Sequence, residues 1–253
     1  MERPKPSGSP LRYLRGLDPA AEPILDGSPD EEGTSTMRVT WLGHASFLIE
    51  AKDGTRVITD PYEAGSYDGA VGYEPISERA DIVTVSHDHA DHNAVDAVAG
   101  QPEVVKGADS LTIRGVPIRG LDTFHDESKG QDRGRNTVFV MEIDGIKLGH
   151  LGDLGHALSE DELEELGQID VLMTPVGGYY TIGPEDAKTV AEKLGAKIII
   201  PMHYKTEALG FPIQPVDDFL KLMDHVDRRN TRSVDIESEN LADPPRVVVL
   251  DYK

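Results

Sequence analysis

The chain contains no cysteine. Disulfides are thereby excluded, and so is any thiolate metal site; a metal centre here must draw on His, Asp, Glu or backbone oxygen. Cations are also scarce. The 25 Lys and Arg stand against 46 Asp and Glu, for a formal net charge of -21. A surface of that sign repels polyanions, so double-stranded nucleic acid, whose binding rests on Lys and Arg neutralising phosphates, is not an expected partner. No apolar run approaches the ~18 residues that cross a bilayer, and no membrane association is expected. The opening Met-Glu-Arg-Pro-Lys-Pro-Ser-Gly lacks the apolar stretch of a secretion signal, which makes the cytoplasm the expected location. A Gly-x-Ser-x-Gly nucleophile elbow is missing, as is a dinucleotide-binding glycine fingerprint.

What is present divides into two textures. Residues 1–36 are rich in Pro, Gly, Ser, Asp and Glu and hold six of the 17 prolines, which reads as a flexible N-terminal arm with Leu11, Tyr13, Leu14 and Leu17 as apolar material. From Met37 to the end, residues 37–253 read as one folded domain, a length sufficient for a sizeable core. Short strands are expected over residues 37–41, 46–51 and 55–59, the last two joined by a Lys52-Asp53-Gly54 turn. Residues 82–86, 171–175 and 197–201 are apolar and β-branched, as in strands buried on both faces. Residues 111–114 with 116–121, and 136–143 with 146–149 across Asp144-Gly145, read as hairpins, and 246–251 as a last strand.

Helices are expected over 94–99, 159–166, 184–194 and 216–226. Ser159 and Glu162 form a capping-box pattern, and Gly195 closes the third helix. Strands in each half, with helices after the buried strands, suit an α/β fold of two packed mixed β-sheets flanked by helices rather than one doubly wound sheet.

The chemistry concentrates in Asp81-Ile-Val-Thr-Val-Ser-His87-Asp-His89-Ala-Asp91-His92, where a buried strand runs into three His and two Asp within six residues. A lone His on a loop is usually a satisfied surface group; His-x-His-x-Asp-His directly after a buried strand is not. Three neutral imidazoles form a common shell for a catalytic zinc with one open position, and a carboxylate beside a His suits a second divalent ion.

This segment, with Trp41-Leu-Gly-His-Ala-Ser46, Thr59-Asp-Pro61, Gly152-Asp153 and Pro201-Met-His203-Tyr, resembles the metallo-β-lactamase superfamily. The likeness runs from about Met37 to about Tyr204 and is strongest to the branch with ascorbate-phosphate lactonase and metal-dependent hydrolases of unassigned substrate. It implies a four-layer αββα sandwich and a dinuclear hydrolase that uses a metal-bound hydroxide on a small ester, lactone or phosphodiester.

Residue by residue, the likeness implies that His87 and His89 hold the first metal, that Asp91, His92 and His203 hold the second, and that Asp153 bridges both. It also calls for a further His on the first metal. His125 and His150 are the candidates, and His125 is preferred because His150 and Asp153 differ in parity if that stretch is extended. The implied cofactors are two divalent ions, zinc first, with manganese or iron as alternatives. Asp91 can move a proton during turnover, and His44, in a turn the family places beside the metals, is the other candidate catalytic residue. His156 lies near the implied mouth, and His225 is expected on the surface.

The segment after His125 carries Lys129, Arg133 and Arg135. In so acidic a chain it reads either as a loop recruiting a small anionic substrate through one of these cations or as a solvated hairpin with incidental charge, and Tyr179 or Tyr180 can line the same pocket. A homo-oligomer is an alternative to the monomer. Two other functional readings are a non-catalytic metal-binding regulatory module and an iron-bound redox protein on the same fold.

Overall fold

A computed structural model describes residues 36–241 and 244–253. The arm expected over residues 1–36 therefore lies, apart from Thr36, outside the described residues. The first sheet comprises β1 (Met37–Gly43), β2 (Ser46–Glu50), β3 (Arg56–Thr59), β4 (Ile82–Val85) and β5 (Glu103–Lys106), completed by a strand from near the C-terminus. A short irregular turn of helix, α1 (Ser66–Gly69), lies between β3 and β4. The second sheet takes β6 (Ser110–Ile113), β7 (Val116–Phe124), β8 (Arg135–Ile143), β9 (Ile146–His150), β10 (Val171–Pro175) and β11 (Ile198–Met202). Three helices interrupt this half: α2 (Glu160–Leu166), α3 (Pro184–Lys193) and α4 (Val216–Leu220). The chain then adds β12 (Val226–Arg228) to the second sheet, β13 (Ser233–Ile236) to the first, and β14 (Arg246–Val249) to the second.

Both sheets are mixed. β1 pairs antiparallel with β2 and β13, and β3, β4 and β5 run parallel. In the other sheet β6 to β9 are antiparallel neighbours, and β9, β10, β11, β14 and β12 are parallel. This is the two-sheet α/β sandwich that the sequence implies.

The period of two along each strand sorts side chains into two cores. Phe47 and Ile49 of β2, Val57 of β3 and Ile82 of β4 point into the space between the sheets, where they meet Phe139, Met141, Leu148 and Met173. Their neighbours Leu48, Ile58 and Val83 face the opposite way, into a smaller cluster with Tyr62, Tyr73 and Leu209. Connecting segments supply most of that outer cover, while α2 and α3 pack on the second sheet.

Several local signals act as their chemistry dictates. The Ser159 hydroxyl accepts the Glu162 N–H at 3.3 Å, and Glu162 Oε2 accepts the Ser159 N–H at 2.7 Å. This capping box is worth about 1 kcal/mol to α2. Pro184 opens α3, and Gly195, at φ 66, stops it.

Two expected helices are shorter than their periodicity suggests. Over 216–226 the helix ends at Leu220, because Val226–Arg228 pair with Val247–Val249 instead and the Val247 N–H bonds the His225 carbonyl at 2.8 Å. His225 itself is exposed. Over 94–99 only Val95–Ala97 turn, as a 3-10 helix; Ala99 goes on to bond the backbone of Glu78 and Ala80. In both places sheet pairing from distant chain overrides local pattern.

Candidate metal centre

The residues singled out by sequence converge where strands end. His87, His89, Asp91 and His92 follow β4, His125 follows β7, Asp153 follows β9, His203 follows β11, and His44 sits in the turn between β1 and β2. His44, Asp91, His92, His125, Asp153 and His203 are buried, and His89 is half-buried.

Local backbone fixes several of these positions. His44 adopts φ 52, and its carbonyl accepts the Trp41 indole N–H at 3.1 Å. The Asp153 N–H donates to Asn136 Oδ1 at 2.9 Å, and the Asn136 amide in turn donates to the Leu151 carbonyl and Thr123 Oγ1. Gly155 lies so close to His125 that a Cβ there would stand 2.2 Å from the His125 carbonyl carbon, so that turn admits glycine alone.

The side chains form two groups joined by a carboxylate. His87, His89 and His125 bring ligand nitrogens within 4.8 Å of one another, and the ring nitrogens of His44, His92 and His203 gather as closely with a carboxylate oxygen of Asp91. Asp153 lies between the groups. Its Oδ2 is 3.2 Å from both His125 Nε2 and His203 Nε2, and its Oδ1 is 3.3 Å from His92 Nε2. His87 Nε2 and His89 Nδ1 face each other at 2.9 Å.

His150 belongs to neither group. Its Nε2 lies 2.8 Å from the Ala45 carbonyl, deep in the core, whereas His125 opens onto the site. His156 accepts the Phe124 N–H at 3.2 Å through Nε2 and has no place among the clustered residues.

Behind the clusters stands a residue the sequence reading gave no role. Asp60, fully buried after β3, has Oδ2 at 2.9 Å from His92 Nδ1 and 2.6 Å from Ser86 Oγ, while Oδ1 accepts the Ser86 N–H at 2.7 Å. Ser86 Oγ also lies 2.9 Å from His87 Nδ1. One carboxylate thus orients a His in each group. The signal for it was Thr59-Asp-Pro61, visible as a motif but silent about contacts. Tyr67 is a second omission: its hydroxyl donates to Asp91 Oδ1 at 3.1 Å, while His44 Nε2 lies 3.0 Å from Asp91 Oδ2. Tyr67 and the next residue both have positive φ, a conformation no periodicity announces.

The electrostatics follow from burial and proximity. Burial pushes His87 down to about 3 and His44 down to about 4, and nearby His203 adds to the effect on His44. Burial also works to raise Asp153, but the His203, His92 and His125 rings overcome it and hold the carboxyl well below its ordinary value. His92 is the exception among the imidazoles. Burial acts to lower it, yet the Asp153 and Asp91 charges hold it well above 6.5.

These residues fit divalent cations. The donors are all imidazole nitrogen and carboxylate oxygen, and His92 Nε2 and Asp153 Oδ1 are buried with no hydrogen-bond partner, although they face each other. Buried polar atoms left in that condition are costly unless a ligand meets them.

The centre opens into a cavity of about 230 Å³ whose wall includes Tyr67, Tyr180, Phe211 and Arg133. Tyr67 and Tyr180 each pack edge-on against Phe211, with ring centroids 5.5 and 5.8 Å away. Tyr179 is 67% exposed and does not line this cavity.

Two packed mixed sheets, with buried His and Asp gathered where their strands end, define a metallo-β-lactamase-type fold. The chain belongs to the beta-lactamase superfamily: the family described as Beta-lactamase superfamily domain matches residues 38–203. Relatives include a UPF0173 metal-dependent hydrolase of Korarchaeum cryptofilum, 30% identical over 78% of this chain and 94% of the relative. Another, from Methanoculleus marisnigri, is 34% identical over 67% of this chain and 82% of its own length. Among solved structures, a Thermotoga maritima protein is similar with a TM-score of 0.70 and 46% identity, over 85% of this chain and 98% of that one. It is provisionally described as a Zn-dependent hydrolase of the metallo-beta-lactamase superfamily.

Proposed function

We propose that this chain is a metal-dependent hydrolase with a two-ion centre, acting on a small ester, lactone or phosphodiester. The observation that carries the reading is the place of Asp153, whose two oxygens lie 3.2 to 3.3 Å from imidazoles of both groups. In this reading His87, His89 and His125 would hold one ion, Asp91, His92 and His203 the other, and Asp153 would touch both. Divalent ions there, zinc foremost and manganese or iron as alternatives, supply Lewis acidity and lower the pKa of a bound water towards ~7.

The chain's own groups do the rest. His44 and Tyr67 hold the two oxygens of Asp91, which faces the cavity. From there Asp91 is placed to take the proton of the attacking water and return it to the leaving oxygen. No protein nucleophile is needed. The aromatic wall of Tyr67, Phe211 and Tyr180 limits water around the reacting group. The relatives' description as metal-dependent hydrolases supports the class of reaction.

The test is hydrolysis of bis(p-nitrophenyl) phosphate and of a simple γ-lactone by the purified chain, before and after chelation and after adding zinc or manganese. Loss on chelation with recovery on adding metal is expected, and the better substrate separates phosphodiesterase from lactonase. Absence of turnover under every metal condition would contradict the reading.

A further inference from the structure

We infer that Arg133 is the specificity-determining residue of this site, receiving a carboxylate or phosphate carried by the substrate at the end away from the reacting bond. The inference rests on the hydrolase reading above for the position of the reacting bond.

Three observations lead to it. First, the charge balance makes a free cation unusual. Arg135 pairs with Asp122 at 3.1 Å, and Lys106 pairs with Asp88 at 2.8 Å, although both line the neighbouring cavity of about 510 Å³. Among the described residues no carboxylate pairs with the Arg133 guanidinium, whose charge is left to the cavities it borders. It lines both of them and, among the described residues, is the sole Lys or Arg in the wall of the inner one.

Second, Arg133 is held from two directions. Its backbone N–H donates to Asp126 Oδ2 at 2.8 Å, and its guanidinium carbon lies 5.6 Å from the centre of the Tyr180 ring. A planar guanidinium against an aromatic face keeps its N–H fork pointed in one plane, the geometry that suits a carboxylate or phosphate.

Third, the nearest acid is engaged elsewhere. The Asp126 carboxylate is buried and accepts the backbone N–H groups of Gly130, Asp132 and Arg133. It shapes the loop and leaves the guanidinium charge available. Lys129, in the same loop, is exposed and lines neither cavity.

The inner cavity, at about 230 Å³, lies below the usual ~300–1,000 Å³ of small-molecule sites. It suits a small molecule with one anionic end, a short apolar middle against Tyr67 and Phe211, and the scissile group beside Asp91 and His125.

The experiment uses the metal-loaded chain and two matched esters, p-nitrophenyl acetate and mono(p-nitrophenyl) succinate. Wild type is expected to favour the anionic ester by tenfold or more in kcat/KM. Arg133→Gln should cut that preference at least tenfold, Arg133→Lys should restore part of it, and Lys129→Gln should keep it. Calorimetric titration with succinate and, separately, inorganic phosphate gives a readout independent of turnover. Both should bind more weakly to Arg133→Gln, and the tighter of the two in wild type identifies the recognised group. If wild type shows no preference, or Arg133→Gln retains it, the inference is wrong. If neither ester is turned over, the hydrolase reading fails instead, and the titrations alone decide the role of Arg133: unchanged binding in Arg133→Gln overturns it.

Discussion

Asp60 Oδ2 lies 2.9 Å from His92 Nδ1, with both side chains fully buried, so the carboxylate accepts the ring proton there and leaves Nε2 directed at Asp153. Through Ser86 Oγ the same carboxylate reaches Nδ1 of His87. A partner of this kind fixes both the tautomer and the aim of a ligand imidazole.

Replacing Asp60 should therefore disturb both groups together. Asp60→Asn keeps the shape but removes the charge, and metal affinity is expected to fall by about 10- to 100-fold. Competition against a chromogenic chelator measures it. Affinity within twofold of wild type would show that Asp60 serves only the fold.

His125 and His150 offer a direct contrast. His125 faces Asp153 at 3.2 Å, whereas His150 is bonded to the Ala45 carbonyl. His125→Ala should lower metal content per chain by about half or more, since a catalytic ion rests on three protein ligands. His150→Ala should chiefly lower the melting temperature, by removing a fully buried ring and its 2.8 Å hydrogen bond from the Ala45 carbonyl, which then keeps only the Thr59 hydroxyl at 3.3 Å. Elemental analysis and thermal melts of both variants check the ranking, and the reverse order would overturn the choice of His125.

Tyr67→Phe removes only the hydroxyl on Asp91 Oδ1. Because the ring still packs on Phe211, the fold should be unaffected. A hydrogen bond to a charged group is worth about 1.5–3 kcal/mol, and Tyr67 is half exposed, so the lower end applies and kcat should fall about tenfold. An unchanged kcat would remove Tyr67 from the proton-handling group.

The metal-free chain should be most stable near neutral pH. His87 and His44 have folded values of about 3 and about 4, below the ordinary 6.5, so the unfolded chain binds more protons and their contribution is lost as pH falls below about 6.5. Asp153 and Asp91, both lowered, add to the acid loss at still lower pH. His92 acts in the opposite sense. Its value is raised, so its contribution is complete below 6.5 and is lost as pH rises through the folded value. Melting curves of chelated protein between pH 4 and 10, at the steps needed to resolve a maximum at about pH 6.5, should show a fall on both sides. A midpoint that climbs steadily into the alkaline range would contradict the assignment for His92.

Much of this was legible before folding, for a physical reason. His87, His89, Asp91 and His92 are neighbours in sequence, so one strand end delivers them together, and β4, β10 and β11 announce themselves by continuous burial. Asp60 and Tyr67 could not be read the same way. Their importance lies in contacts with residues 24 to 32 positions away, made through irregular chain with no periodic signal. Among the three cations of the loop after His125, only the folded chain separates Arg133 from Lys129 and Arg135, because pairing and cavity lining are properties of the assembled surface. The strand Val226–Arg228 was masked in turn by apolar spacing that mimics a helix.

The most direct test of the account is anomalous diffraction from crystals of the intact chain grown with zinc. It predicts two peaks per chain about 3.5–4 Å apart, one beside His87, His89 and His125, the other beside Asp91, His92 and His203, with Asp153 between them. A single peak, or peaks away from Asp153, would contradict it.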